Sequence, residues 1–205
     1  MARPSKPLIS RSAVVKAALK IVDRDGLNKL SLKRLASEVG VHESSIYYHY
    51  RYKHDILADA LRHVLSDLKV GEVDRSDWKA YLFESALPYY RALAKHPEMV
   101  AVLMKETPRS FGLDFENQTA GVLLDAGFEP HIALAVREQL EALTNGALQF
   151  AERRLFKDVP ESLPQLRKIV AEKQISPEER FRMSLRAYID GLQIQLDERA
   201  ATGSP

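Results

Sequence analysis

The side chains best suited to chemistry gather between Lys33 and Lys53. Glu43, Ser44, Ser45, Tyr47, Tyr48 and His49 follow one another with only Ile46 as an apolar break, His42 precedes them, and Lys33, Arg51 and Lys53 flank them. Hydroxyls, imidazoles and a carboxylate offer hydrogen-bond donors and acceptors, and the cations suit phosphate oxygens. A donor-rich surface bracketed by positive charge fits the major groove of DNA, where base edges are read by hydrogen bonds and the backbone is held by cations. The competing reading makes Tyr47, Tyr48 and Tyr50 half-buried props of an ordinary helical hairpin.

Catalysis has much weaker support. Glu138 and Glu141 are spaced to share a helix face, but solvated charges account for that spacing. His42 and His49 share a face while His54 lies well round from it, and no cysteine, phosphate-binding glycine loop or G-x-S-x-G run accompanies them. No catalytic residue, metal or cofactor is expected.

Two short helices must position the polar run. Apolar residues at Leu32, Leu35, Ala36, Val39, Val41 and Ile46 let a first helix pack its Leu35/Ala36/Val39 face on a second anchored by Ile46. Small Ala36 lets the backbones approach, Gly40 supplies a corner with positive φ, and Ile46 plugs the second helix into the core. This is the spacing of a helix-turn-helix.

Charge distribution agrees. The 205 residues are 45% hydrophobic and 28% charged with a net charge of only +2, yet residues 1–55 hold 11 Lys and Arg against 5 Asp and Glu, a net of +6 that leaves −4 for the rest. A basic amino-terminal quarter on a mildly acidic body is the asymmetry of a protein that docks one end on phosphates. The absence of cysteine rules out disulfides and thiolate metal sites. No run approaches the roughly 20 apolar residues of a membrane span and no signal peptide opens the chain, so a cytoplasmic protein without membrane contact is expected.

The remaining elements are helical. Residues 1–9 read as a loose basic arm. A support helix runs from Ser10 or Ser12 to about Arg24 and is stopped by Gly26. A connecting helix follows from Asp55 to about Val70, and any movement of the body reaches the reading helix through it. After a boundary loop at 71–77, Ser76 caps a helix from Asp77 to about Lys95 that contains Pro88. Pro97 opens a short helix, apolar nearly all round and therefore buried, that ends at Pro108. Further helices occupy Leu113 to Asp125, Pro130 to about Phe156, and Leu163 to Glu172. The last begins at a capping box of Ser176, Pro177 and Glu179 and continues as a stripe through Phe181, Leu185, Tyr188, Ile189, Leu192 and Leu196, before a tail from Ala200. The expected architecture is all-α: a three-helix head at 1–55, a connecting helix at 56–70, and a larger body at 71–205.

The run SLKRLASEVGVHESSIYYHYRYKHDILADAL closely resembles the signature of TetR-type repressors, in which a helix-turn-helix leads into a tyrosine-rich recognition helix, a basic residue and a long connecting helix. The resemblance implies DNA contacts from Lys33, Glu43, Ser44, Ser45, Tyr47, Tyr48, His49 and Lys53, with Lys33, Tyr47 and Lys53 on phosphates and Glu43, Ser44 and Ser45 at base edges. Glu43 departs from the usual amide at its position. A carboxylate there either accepts from a cytosine amino group or favours the helix amino terminus. The body resembles the tetracycline-sensing subgroup through DWKAYL, LAKHPEM, TPRSF, GF and IDGLQIQL.

In that subgroup the drug arrives as a magnesium chelate held by histidine. Here Leu103 falls at the metal-binding histidine and Phe150 at a nearby acidic position, so neither a metal nor tetracycline recognition is expected. What remains is an apolar effector site with a few polar handles, lined by Ser85, Tyr89, Leu103, Met104, Phe115, Gln118, Leu134 and Phe150. The family also pairs its last two long helices with a second subunit, which here implies an interface through Leu140, Leu143, Ala147, Leu185, Tyr188, Ile189 and Leu192. The implied function is a homodimeric repressor on a palindromic operator, released by a small, largely apolar effector. A dimeric DNA-binding regulator with no inducer is the alternative.

Overall fold

The computed structural model describes residues 9–66, 68, 74–106, 112–151, 156, 158–172 and 175–202, and among them every regular element is helical. In chain order these are α1 (Arg11–Asp25), α2 (Leu32–Val39), α3 (Glu43–Tyr47), α4 (Lys53–Leu65), α5 (Trp78–Ala94), α6 (Glu98–Glu106), α7 (Leu113–Asp125), α8 (Pro130–Gln149), α9 (Pro164–Ala171) and α10 (Pro177–Thr202). A 3-10 turn at Leu27–Lys29 joins α1 to α2. Residues 1–8 of the expected arm, residues 71–73 of the expected loop, and Pro108 lie outside the described residues. No described helix is long and apolar enough to cross a membrane.

The chain divides into two compact units, one of Met1–Lys69 with Arg91–Leu113 and one of Val70–Tyr90 with Asp114–Pro205. Helix α5 contributes to both.

In the first unit, Ser10 caps α1 by accepting from the Ala13 N–H at 3.2 Å, and the Gly26 N–H closes it on the Val22 carbonyl at 2.9 Å. Val14, Val15, Ala18, Leu19, Ile21 and Val22 are buried from this helix. Ser31 caps α2 by accepting from the Arg34 N–H at 3.1 Å. The first unit also packs α4 against α1 and α6, and the connecting helix buries Ile56, Leu57, Ala60, Leu61 and Val64. Of α6 only part is buried: Met99, Val100 and Val102 are enclosed, whereas Ala101 and Met104 face solvent. The expectation of burial all round treated an apolar run as a sign of enclosure, and a nine-residue helix on a small unit has neighbours on one side only.

An ion cluster fastens α1 to α2. Lys20 Nζ lies 2.8 Å from Glu38, Arg24 lies 3.1 Å from Glu38 and 2.9 Å from Asp25, and Arg34 lies 2.5 Å from Asp25. The Arg24 hydrogen bond holds the Asp25 carboxyl below its ordinary range, and the Lys20 hydrogen bond does the same for Glu38. As pH falls the unfolded chain, whose carboxylates titrate at about 4, binds protons before the folded chain does. The cluster therefore adds stability above that range and loses it as pH drops through the lowered folded values. Thermal melts from about pH 6 to pH 3 should show the head losing stability with acid, and Glu38→Gln should flatten that slope. An identical slope in the variant would mean that the cluster contributes nothing.

In the second unit Asp77, not Ser76, caps α5. Asp77 Oδ1 accepts from the Lys79 and Ala80 N–H groups at 3.0 Å each, while Ser76 is turned back to Asp74 by bonds from its N–H and hydroxyl at 2.9 and 2.8 Å. Ser76 and Asp77 compete for the role, and the one whose oxygen reaches the first free N–H groups of the helix takes it. The capping box of α10 forms as the sequence implies: the Ser176 N–H donates to Glu179 at 2.9 Å and the Glu179 N–H to the Ser176 hydroxyl at 3.2 Å. Helix α8 ends at Gln149, short of Phe156, and α10 continues to Thr202, into the stretch from Ala200 expected as a tail. Its stripe of Phe181, Leu185, Ile189 and Leu192 is buried, with Phe181 stacked on Tyr90 at 4.4 Å between centroids and the Tyr188 hydroxyl donating to the Val136 carbonyl of α8 at 3.1 Å. Burial pushes the Tyr188 hydroxyl up to about 12.

Candidate nucleic-acid interface

The corner between α2 and α3 sets the interface. Gly40 ends α2 at φ 69°, ψ 33°, and the N–H groups of Gly40 and Val41 turn back to the carbonyls of Ser37 and Ala36 at 3.3 and 3.0 Å. A Cβ at Gly40 would meet no atom within 4 Å, so the glycine is required by its left-handed backbone and not by crowding. Leu35, Ala36 and Ile46 are buried at the corner, Leu35 and Ile46 completely. With Ile46 inside, the geometry of a five-residue helix turns its other side chains outward.

Helix α3 itself is shorter than the polar run. It spans Glu43–Tyr47, and the bonds Tyr48 N–H to Ser44 O at 3.2 Å and Tyr50 N–H to Ile46 O at 3.0 Å carry the coil through a closing turn. His42 caps it: the Ser44 N–H lies 3.4 Å and the Ser44 hydroxyl 3.0 Å from His42 Nδ1. Tyr47 and Tyr48 are 52% and 76% exposed, Lys33, Ser44 and Arg51 are exposed, and Glu43 and Ser45 are half-exposed. The two tyrosines are therefore not the half-buried props of a hairpin.

Two of the expected contact residues are occupied within the chain. His49 Nε2–H donates to the Ile9 carbonyl at 2.7 Å, and Lys53 Nζ donates to the Leu27 carbonyl at 2.7 Å. His49 thereby ties down the start of the described chain, and Lys53 ties α4 to the turn after α1. Any contact they make with a nucleic acid has to share those bonds.

Tyr50 is the residue that sequence reasoning missed. It is 2% exposed, its hydroxyl donates to Asp59 Oδ2 at 2.8 Å, and the Arg11 guanidinium lies 5.0 Å from its ring centre while Arg11 also donates to the His49 carbonyl at 3.2 Å. Burial, then the Asp59 carboxylate, raises the hydroxyl pKa well above its usual value. Tyr50 thus locks the end of α3 to α4 and α1. Its place at the end of a tyrosine run hid this; the only signal was Asp59 nine positions on, on the inner side of an amphipathic helix.

The expected effector residues fall in both units. Leu103 and Met104 belong to the first unit, and Ser85, Tyr89, Phe115, Gln118, Leu134 and Phe150 to the second. Ser85 is buried with its hydroxyl on the Leu82 carbonyl at 3.1 Å, and Tyr89, Phe115 and Gln118 are half-buried. Leu134 and Phe150 are 60% and 52% exposed. The polar content of this unit is larger than the sequence suggested. Arg137 holds Glu116 with two parallel bonds and lies 3.5 Å from Glu141, and Arg75 donates to Gln118 when the amide is oriented to accept. Among the described residues no group of three or more His, Cys, Asp or Glu is placed to hold a metal ion.

The expected dimer residues differ in exposure within the single chain. Leu140, Leu185, Ile189 and Leu192 are buried inside their own chain, Leu143 and Ala147 are half-buried, and Tyr188 bonds to α8. Helices α8 and α10 contact each other, with Tyr188 bonded across to Val136. The outward side of α10 instead presents Met183, Ala187 and Ile194, with Met183 61% and Ile194 58% exposed.

Comparison with known proteins bears on this geometry. The family of bacterial regulatory proteins, tetR family, matches residues 14–60, which span α1 through the first half of α4. The chain is 25% identical over 203 residues to the tetracycline repressor protein class E of Escherichia coli, covering 95% of each. Two solved structures share the fold. The Streptomyces coelicolor protein ActR, in complex with (S)-DNPA, gives a TM-score of 0.74 at 23% identity, covering 93% of this chain and 99% of its own. TetR from Acinetobacter baumannii AYE gives 0.75 at 19%, covering 91% and 98%.

Proposed function

Because this chain belongs to the TetR family of transcriptional regulators and not to an enzyme class, we propose that it is a cytoplasmic repressor that binds a palindromic operator as a homodimer and is released by a small, largely apolar effector. The observation that carries the reading is the outward face of α3: Tyr47 and Tyr48 exposed beside Lys33 and Arg51, on a helix whose one apolar residue is wholly buried. That face can enter a major groove and hold its edges, with Lys33 and Tyr47 on phosphates and Glu43, Ser44 and Ser45 toward bases.

We read residues 1–55 as the DNA-binding part, 56–70 as the connection and 71–205 as the effector-binding and dimerising part, a division by role and not by compactness. The exposed apolar residues of α10 supply the surface for a second copy, and a two-fold axis then sets the reading helices about 34–36 Å apart on successive groove faces. Effector binding lowers operator affinity only insofar as it favours a state of the body that the operator disfavours, so operator must weaken effector binding by the same factor.

Selection of binding sites from random duplex DNA tests the reading. The expected product is a two-fold symmetric sequence protected by a dimer; recovery of no symmetric site would reject it. Glu43→Gln in the same selection should change the preferred base at one symmetric pair of positions and leave the melting temperature as it was. Unchanged preference would assign Glu43 to the helix amino terminus alone.

A further inference from the structure

The polar groups of the second unit that the proposed function leaves unused lie along one side of α8. Arg137, Glu141 and Asn145 recur at four-residue spacing and form a single stripe. Val136, whose carbonyl receives the Tyr188 hydroxyl, marks the different side that meets α10. The stripe looks toward α5 and α7. Arg137 is paired there with Glu116 of α7, and Tyr89 of α5 has its hydroxyl raised first by burial and then by Glu141, with Arg137 and Glu116 also acting on it.

Asn145 stands out in that stripe. It is 6% exposed, and its Oδ1 has no hydrogen-bond partner among the described residues. A buried acceptor left unmet destabilises the fold, and an apolar side chain of similar size would fill the same space without that penalty. Charge narrows what can meet it. Arg137 is already engaged with Glu116 and lies near Glu141, so two carboxylates face one guanidinium and a further anion is disfavoured. Half-buried aromatic rings at Tyr89 and Phe115 on the facing helices favour a flat partner.

Resting on the reading that the body binds an effector, we propose that Asn145 Oδ1 determines its specificity: the effector is an uncharged aromatic molecule whose hydroxyl or N–H donates to Asn145, and carboxylate-bearing analogues are rejected.

Three probes matched in ring and differing in head group test this on the full chain by calorimetry: 1-naphthol, 1-methoxynaphthalene and 1-naphthoate. The wild-type protein should bind 1-naphthol about tenfold more tightly than 1-methoxynaphthalene, the worth of one buried hydrogen bond, and 1-naphthoate more weakly than either. Asn145→Leu should bind the two neutral probes equally and melt about 3 °C higher, since it removes an unmet buried acceptor. Equal binding of the neutral probes by the wild type, tight binding of 1-naphthoate, or a preference that survives in Asn145→Leu overturns the assignment while leaving an effector-binding body in place. A lower melting temperature in Asn145→Leu also overturns it, by showing the amide to be satisfied and structural. Failure of all three probes to bind the wild type rejects the inference, whereas the effector reading falls only if no small molecule releases the protein from its operator.

Discussion

Replacing Lys33 and Tyr47 together by alanine should weaken operator binding by about a hundredfold at ~0.15 M salt, with the fold untouched. Both side chains project from the helix-turn-helix, Lys33 exposed and Tyr47 52% exposed, while the core residues Leu35 and Ile46 between and beside them stay in place. Exposed substitutions away from caps and ion pairs change stability by about 0.5 kcal/mol or less, so a large loss of affinity would report contact with DNA and not unfolding. The two residues also differ in a way that a salt titration resolves. Each lysine that neutralises a phosphate adds about 0.9 to the slope of log affinity against log salt, so a dimer that loses two Lys33 contacts should lose about 2 from that slope, whereas Tyr47→Ala alone should lower affinity with a smaller change in slope. Fluorescence anisotropy across a salt series measures both. A double variant with wild-type affinity and slope would remove α3 from the interface.

The second large effect is structural. Ile46→Ala should destabilise the DNA-binding part by about 3 kcal/mol, within the range for emptying a fully buried aliphatic site. Ile46 is 0% exposed, and it is the only buried residue of α3, a helix too short to persist on its own. Losing that anchor releases Tyr47 and Tyr48 from their presented geometry, so operator affinity should fall in the same variant even though no contact residue has changed. Chemical denaturation followed by circular dichroism gives the stability, and its agreement with the affinity loss links packing to function. A loss under about 1 kcal/mol would show that the corner is held by something other than this plug.

Local signals in the chain were reliable wherever one residue type satisfies one backbone need. Ser10 and Ser31 cap their helices, Gly40 takes the left-handed corner, Ser176 and Glu179 bond reciprocally, and Pro130 and Pro177 open helices. Each depends on a neighbour within four residues, so composition and spacing suffice. Competition between two near neighbours already blurs the answer, as where Asp77 rather than Ser76 caps α5. The tyrosine run shows the same limit in side-chain form. Nothing in YYHY separates the exposed Tyr47 and Tyr48 from the enclosed Tyr50; the difference comes from Asp59 and Arg11, which reach it from two other helices.

By itself the sequence determined the all-α class, the helix-turn-helix at Leu32–Tyr47, the basic amino-terminal quarter and most helix ends, because periodicity, capping and charge are properties of short stretches. Only the tertiary structure decided which apolar stripe is spare and which polar group is unmet. Leu185, Ile189 and Leu192 read as a surface for a second chain, yet they are buried inside their own, while Met183 and Ile194 face out. Arg137 finds Glu116 twenty-one residues away, and Asn145 Oδ1 finds no hydrogen-bond partner among the described residues. Burial and pairing depend on where distant helices come to rest, and no spacing along a chain encodes that directly.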